Sequence, residues 1–293
     1  MTRALASATA DERAAFIGGT PRTGLVGRSG VVWVEGPDAR SFLQGLLSND
    51  IDGLRVGASI PALLLTAQGH LEAMVQVHRD DDDAFTLVTG IDQAAIVADR
   101  LTGLQHSEAL DVFGPEVADT VTVHGPLVAD GVVAFDGPIP GTRTVLADDA
   151  EATLAALEAD RGAPGLLEVL RVEHGVPLVG VDTGEGTLVH EAGLQDRAVS
   201  FTKGCYLGQE TVARTEHRGR VNRVLRGLRG ATAPRPGAEV RLDGRVVGTI
   251  GSAAISPVFG PIALTILRRE AEPGATVDVW DGGTALVCEL PFR

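Results

Sequence analysis

The chain has 293 residues, 44% of them hydrophobic and 22% charged, with a net charge of -14, a composition typical of globular proteins and a length that predicts two or more domains. So acidic a chain repels phosphate backbones, which argues against nucleic acid as a partner. Two cysteines cannot form a four-thiolate metal site, Asp11-Glu12-Arg13 arrives before any apolar signal core develops, and no apolar run is long enough to span a bilayer; the expectation is a reduced, cytoplasmic protein with no membrane segment.

Residues 1–30 are weakly patterned. Val31-Val32-Trp33-Val34 predicts a buried strand. Gly36-Pro37-Asp38 turns the chain, and Asp38 is placed to cap a helix whose Ala39, Phe42, Leu43, Leu46 and Leu47 share one face. Ile60–Thr66 and Leu71–His78 read as a hairpin joined at Gln68-Gly69. Asp80-Asp81-Asp82-Asp83 lacks the alternating ligands of a calcium loop and reads as a solvated turn before a strand at Phe85–Thr89. Asp92 is the expected cap of a helix through Ala95, Ile96, Ala98 and Leu101. Val112-Phe113 and Val121–His124 predict two further strands, and Thr144-Val145-Leu146 a third. Helices follow at 151–158 and 165–174. Val181–Thr187 is glycine-rich, but no Gly-Lys-Ser/Thr follows, so it reads as a structural turn. This mixture predicts an α+β body over residues 1–223.

After Arg223 the texture changes. Short apolar runs at 224–228, 238–242, 245–255, 262–267, 276–279 and 285–290 are punctuated by glycine and proline, with Asp243-Gly244 a strong hairpin turn. The expectation is an all-β module over residues 224–293, a small barrel or sandwich with Cys288 in its core.

The richest stretch for chemistry is Lys203-Gly204-Cys205-Tyr206-Leu207-Gly208-Gln209-Glu210, which gathers one of two cysteines and the only tyrosine. Gly204 is expected to reach positive φ or to let the backbone approach a ligand. Residues 209–218 read as a short helix stopped by Gly219. Cys205 would then sit just before a helix N-terminus beside Lys203, a setting that favours a thiolate. Arg214, Arg218, Arg220, Arg223, Arg226 and Arg229 form a local basic run suited to an anionic ligand. The histidines show no metal-ligand spacing, and no metal site is expected.

Lys203-Gly204-Cys205-Tyr206 with Gly208-Gln209-Glu210, continued by Val212-Ala213-Arg214 and Arg218-Gly219-Arg220, resembles the signature of the YgfZ family, folate-binding relatives of the glycine-cleavage T-protein. Leu170–Pro177 and the segment around Gly36–Gly45 resemble other parts of that family. The resemblance implies a GcvT-like folate-binding body with a C-terminal β-barrel, and tetrahydrofolate, or a polyglutamylated or one-carbon derivative, as cofactor. It implies that Cys205 and Lys203 carry the chemistry, and that Glu173 contacts the pterin with Arg171, Tyr206, Gln209 and Arg214 completing the site. Iron–sulfur proteins or their assembly machinery become the implied partners. Read without the resemblance, Glu173 is an exposed helix carboxylate paired with Arg171. In aminomethyltransferases the segment matching Gly69–Ala73 carries an aspartate needed for transfer. Here it reads Glu72-Ala73, which leaves a folate-dependent aminomethyl- or methyltransferase as the alternative, and a scaffold without chemistry as a third reading.

Overall fold

The computed structural model describes residues 5–19, 22–127, 132–233, 235–279 and 282–293. A two-residue strand β1 (Ala6–Ser7) leads into helix α1 (Ala10–Gly18). Thr9 and Glu12 cap that helix reciprocally, each side chain bonded to the other's backbone N–H, a capping box the sequence carries three residues apart. Strand β2 (Thr23–Glu35) is far longer than its apolar run, because its polar, glycine-rich first half pairs with a distant strand. Helix α2 (Ala39–Leu46) buries Ala39, Phe42 and Leu43. Asp38 precedes it, but its carboxylate accepts the Ala109 N–H at 2.8 Å instead of capping the helix.

Strands β3 (Ser59–Leu65), β4 (Leu71–Asp81) and β5 (Ala84–Thr89) form an antiparallel meander. The acidic run closes its second turn, where Arg79 reaches the Asp82 carboxylate at 2.7 Å. Helix α3 (Ile91–Leu104) is preceded by Gly90 at its cap, so Asp92 lies in the first turn and not at the cap. Strand β6 (Asp111–His124) is one continuous strand where two were expected, running through Gly114-Pro115 against the whole of β2. Then come β7 (Ala134–Asp136), β8 (Thr142–Ala147), α4 (Ala150–Ala156), β9 (Asp160–Arg161), α5 (Leu166–Glu173), α6 (Gln195–Ala198) and α7 (Gln209–Arg218).

These strands make an eight-stranded sheet in the order β3-β4-β5-β2-β6-β8-β7, with β9 pairing β2. Alternation puts Val32, Val34, Val75, Val77 and Leu87 on one face, packed against Phe42 and Leu43 of α2 and Val97 and Leu101 of α3. On the other face Leu63, Leu65 and Leu71 are covered by residues 189–212, including Tyr206. The sheet curls until its first and last strands approach, and Ser59 Oγ donates to the Ala134 carbonyl at 2.8 Å.

The remaining strands are β10 (Arg223–Gly230), β11 (Glu239–Leu242), β12 (Arg245–Ser256), β13 (Gly260–Arg268), β14 (Thr276–Asp278) and β15 (Thr284–Cys288). They close in the order β12-β11-β14-β15-β10-β13, with β13 returning to β12, as a six-stranded barrel. Closure leaves no free edge within the ring. Among the described residues from 230 to 293 there is no α-helix. The N-terminus belongs to this module as much as to the body: β1 runs parallel to β12, pairing Ala6 with Ala254 and Ser7 with Ile255. Cys288 is half-buried, not fully enclosed, and burial raises its thiol.

Body and barrel are joined by an apolar seam and a polar clasp. Val169 and Val172 of α5 pack against Leu225, Ala254, Ile262, Leu264 and Phe292. At the clasp, buried Arg171 binds both Glu168 oxygens, at 2.9 and 2.6 Å, and Asp182 at 3.2 Å, and donates to Ser252 of β12 at 2.5 Å. Asp182 in turn accepts from the Ser252 N–H, the Ser252 hydroxyl and the Leu178 N–H. Burial opposes the charge on Arg171, but Glu168 and Asp182 outweigh it and hold the guanidinium above its ordinary range. The glycine-rich segment 181–187 is thus the turn that delivers Asp182 to the barrel.

Candidate functional site

The signature is a loop pinned at almost every residue except its thiol. Lys203 Nζ donates to the carbonyls of Gln44, Leu47 and Asn49 at 2.7, 2.6 and 2.8 Å. It thereby caps the C-terminal end of α2, where orphan carbonyls favour a cation. Burial lowers its ammonium to about 8, against the pull of Asp50 and Asp52. The same ammonium lies 5.2 Å from the Tyr206 ring centroid. Tyr206 is 7% exposed among Leu63, Leu65, Leu71 and Val212, and burial pushes its phenol up to about 12, so it is neutral at physiological pH. The Leu207 N–H bonds the Gly45 carbonyl at 3.1 Å.

Gly208, the residue before α7, is where the motif needs glycine. Its φ is +81°, and a Cβ there would lie 2.6 Å from the Thr66 carbonyl oxygen and 3.0 Å from Gly69 Cα. Gly69, at the tip of the β3–β4 hairpin, has φ +78°, and its own Cβ would meet Thr211 at 2.7 Å. Two glycine backbones in contact dock the hairpin tip on the start of α7. Gly208→Ala is therefore expected to cost about 1–3 kcal/mol from backbone strain alone, with the displaced hairpin adding to it. Chemical denaturation of the variant checks this. Gly204, in contrast, lies outside the positive-φ region and has open space around it, so the role expected of Gly204 falls to Gly208.

Cys205 is exposed, and its sulfur has no hydrogen-bond partner among the described residues. Tyr206, Leu207 and Gly208 separate it from the first residue of α7, so the thiol is not at the helix terminus. The Lys203 ammonium is directed to α2. The sequence placed both beside the thiol, but the structure uses them to hold the loop that presents it.

The residues assigned to folate from the sequence do not form one open site. Glu173 is 2% exposed, with one oxygen accepting from Arg13 at 3.0 Å and the other from Ser256 at 2.6 Å. It is neither exposed nor paired with Arg171, which belongs to the clasp. Gln209 opens α7, and Arg214 pairs with Glu210 one turn earlier. Of the arginine run, Arg223 is held by both oxygens of Glu191. Glu72 is paired with Arg100 at 2.8 Å. His70 sits in the hairpin turn, its N–H bonded to Thr66 Oγ1 at 3.1 Å.

An open cleft lies elsewhere on the covered face of the sheet, bounded by residues of β3, β4, β7, β8 and α6. Its volume is about 790 Å³, within the range of small-molecule sites. Pro61, Ile139 and Pro140 supply apolar wall, and Gln76, His124, Asp136, Arg143 and Arg197 are its main polar groups. Gln76 Oε1 is buried with no hydrogen-bond partner, an acceptor that a ligand donor would satisfy. Arg197 of α6 donates to the Gly137 and Pro138 carbonyls, both at 3.1 Å, and burial lowers its guanidinium despite Asp136. Arg143 pairs with Asp136 at 2.6 Å. Sequence reading missed this cleft. Its only traces there are a polar Gln76 within an alternating strand and the turn residues Gly125-Pro126 and Gly137-Pro138.

Comparison with known proteins adds three findings. The chain is 31% identical over 242 residues to a tRNA-modifying protein YgfZ of Edwardsiella ictaluri, covering 73% of this chain and 72% of that one. It is 27% identical over 312 residues to an aminomethyltransferase of Thermotoga maritima, covering 91% and 85%. The crystal structure of the glycine cleavage system aminomethyltransferase T from Bartonella henselae superposes with a TM-score of 0.79 at 20% identity, over 97% of this chain and 89% of that one, a likeness of fold. No family model matches the chain.

Proposed function

The chain belongs to the YgfZ family, relatives of the aminomethyltransferases, and from that premise we propose that it is a cytoplasmic, folate-binding protein that supports assembly or repair of iron–sulfur enzymes, using tetrahydrofolate and the thiol of Cys205. The observation that carries this reading is the presentation of Cys205. Lys203, Tyr206, Leu207 and Gly208 each fix the loop, and the one reactive group among them faces solvent. Cysteine acts as a thiolate, a nucleophile or a soft metal ligand, and an exposed thiol on a rigid loop is accessible to a protein client in a way a core cysteine is not.

The cleft between β3–β4 and β7–β8 suits a folate. A pterin presents flat apolar faces with N–H and amino donors at its edge, and its tail carries carboxylates. Pro61, Ile139 and Pro140 offer the wall, Gln76 Oε1 the buried acceptor, and Arg197, with Arg143 if it releases Asp136, positive charge for the tail. Glu173 would serve the pterin only by releasing Arg13 and Ser256. When bound, the folate would supply one-carbon chemistry; the chain's own part is to hold it. The transferase alternative needs an acid/base group at Glu72, and the ion pair of that carboxylate with Arg100 favours the first reading.

Tetrahydrofolate at a hundred times its Kd is expected to add about 2.7 kcal/mol of stability, a rise in melting temperature of several degrees at roughly 2–4 °C per kcal/mol. Gln76→Leu should remove most of that rise. If Glu173→Ala removes it while Gln76→Leu does not, the cleft is misassigned and folate binding stands. If wild type shows no rise at saturation, the folate reading fails.

A further inference from the structure

Along the first half of β10 the barrel meets the body, and two adjoining hollows form one groove there. One, of about 430 Å³, is bounded by His174 and Gly175 after α5 and by Leu290-Pro291. The other, of about 490 Å³, is bounded by Arg220 after α7 and by Arg269 and Pro273 beyond β13. Val224, Arg226 and Glu289 line both hollows, which therefore lie side by side. No residue of this groove lines the cleft assigned to folate.

Several arginines of this chain are paired, Arg214 with Glu210, Arg223 with Glu191 and Arg241 with Glu239. Arg220, Arg226 and Arg269 line the groove. Among the described residues none of the three makes a hydrogen bond or an ion pair, although Glu272 and Glu289 stand on the same groove. Arg226 is half-buried, and no carboxylate lies within ion-pair distance of it among the described residues. His174 adds a polar group at the far end. Its Nδ1 lies 2.8 Å from the Leu170 carbonyl and must carry the proton, which leaves Nε2 for another partner.

We propose that this groove is a binding site for a small multivalent oxyanion, a phosphate or carboxylate compound held by Arg220, Arg226 and Arg269. The planar guanidinium fork matches either oxyanion with two parallel hydrogen bonds. Three such cations outnumber the two carboxylates, Glu272 and Glu289, that share these hollows, so an anionic ligand is favoured there. The net charge of -14 repels anions from the molecule at large, so binding here is local recognition and not general attraction. The site stands whether or not the chain binds folate.

The test is calorimetric titration of the full chain, at low ionic strength, with inorganic pyrophosphate and with citrate. At least one is expected to bind with one-to-one stoichiometry, and which one binds identifies phosphate or carboxylate as the preferred group. Arg226→Gln should weaken binding about tenfold or more, the loss of one charge-assisted contact. Arg220→Gln and Arg269→Gln should each weaken it too; both side chains are exposed, so these variants keep the test open if Arg226→Gln fails to fold. Arg241→Gln, which alters a paired arginine of the same barrel, should bind as wild type. The proposal is overturned if neither probe binds at millimolar concentration, if the groove variants bind as wild type, or if Arg241→Gln loses as much as they do.

Discussion

Cys205→Ser is expected to fold with a stability within about 1 kcal/mol of wild type and yet to fail in supporting iron–sulfur enzymes. The structural half follows from exposure. The sulfur has no packing to lose and no partner to strand, whereas a buried thiol exchanged for a hydroxyl would leave a polar group to satisfy. The functional half follows from the proposal that the thiol is the working group. Deleting the gene, assaying several iron–sulfur enzymes and restoring either wild type or the serine variant gives the answer; full restoration by serine would remove Cys205 from the mechanism. A companion measurement separates the two cysteines. Iodoacetamide at neutral pH should modify Cys205 ahead of Cys288, which is half-buried and has its thiol raised by that burial. Tetrahydrofolate binding should survive the substitution, because the thiol is not among the residues that line the cleft.

Asp182→Ala should have the largest effect on stability. It leaves the Arg171 guanidinium short of one carboxylate, and it strands the Ser252 and Leu178 N–H groups at the junction of body and barrel. Removing one partner of a buried ion pair costs about 3–5 kcal/mol, a fall in melting temperature of roughly 10 °C at 2–4 °C per kcal/mol. Arg171→Met should destabilise as well, since Glu168 and the Ser252 hydroxyl lose the guanidinium donor and buried Asp182 loses its counter-charge. This measurement also separates two roles for Arg171. If Arg171→Met melted as wild type but lost the stabilisation by tetrahydrofolate, Arg171 would be a ligand contact and the clasp account would be wrong.

The difference between those two roles is one that sequence could not resolve. Arg171, Glu173 and Lys203 carry the same charges whether they face a ligand or fasten one element to another. Their neighbours in sequence do not reveal Asp182 and Ser252, Arg13 and Ser256, or the three carbonyls at the end of α2. Those partners lie up to 160 residues away, and only chain folding brings them within hydrogen-bonding distance. The cleft was illegible for the same reason. Its walls come from β3, β4, the turns around 125 and 140, and α6, and no local pattern marks a cleft assembled from such distant segments. The helix caps show the limit on a smaller scale: Asp38 has the right residue type at the right place, and a backbone N–H at Ala109 claims it.

The sequence by itself determined the classes of structure and the family. Alternating apolar positions fix the faces of β4, from Leu71 to Val77, because side chains alternate across a strand whatever lies beyond it. The change of texture after Arg223 marks the β-barrel because closely spaced turn residues leave no room for helices. The eight residues from Lys203 to Glu210 carry the family signature, since that information is local. Only the tertiary structure decided which of those residues present chemistry and which hold the loop. It assigned positive φ to Gly208 through contact with Gly69, turned Lys203 toward α2, and left Cys205 in solvent. It also joined β1 to the barrel, 248 residues from its partner in the pairing of Ala6 with Ala254. Burial and partnership depend on what the rest of the chain brings to a residue, and that is settled only when the layers pack.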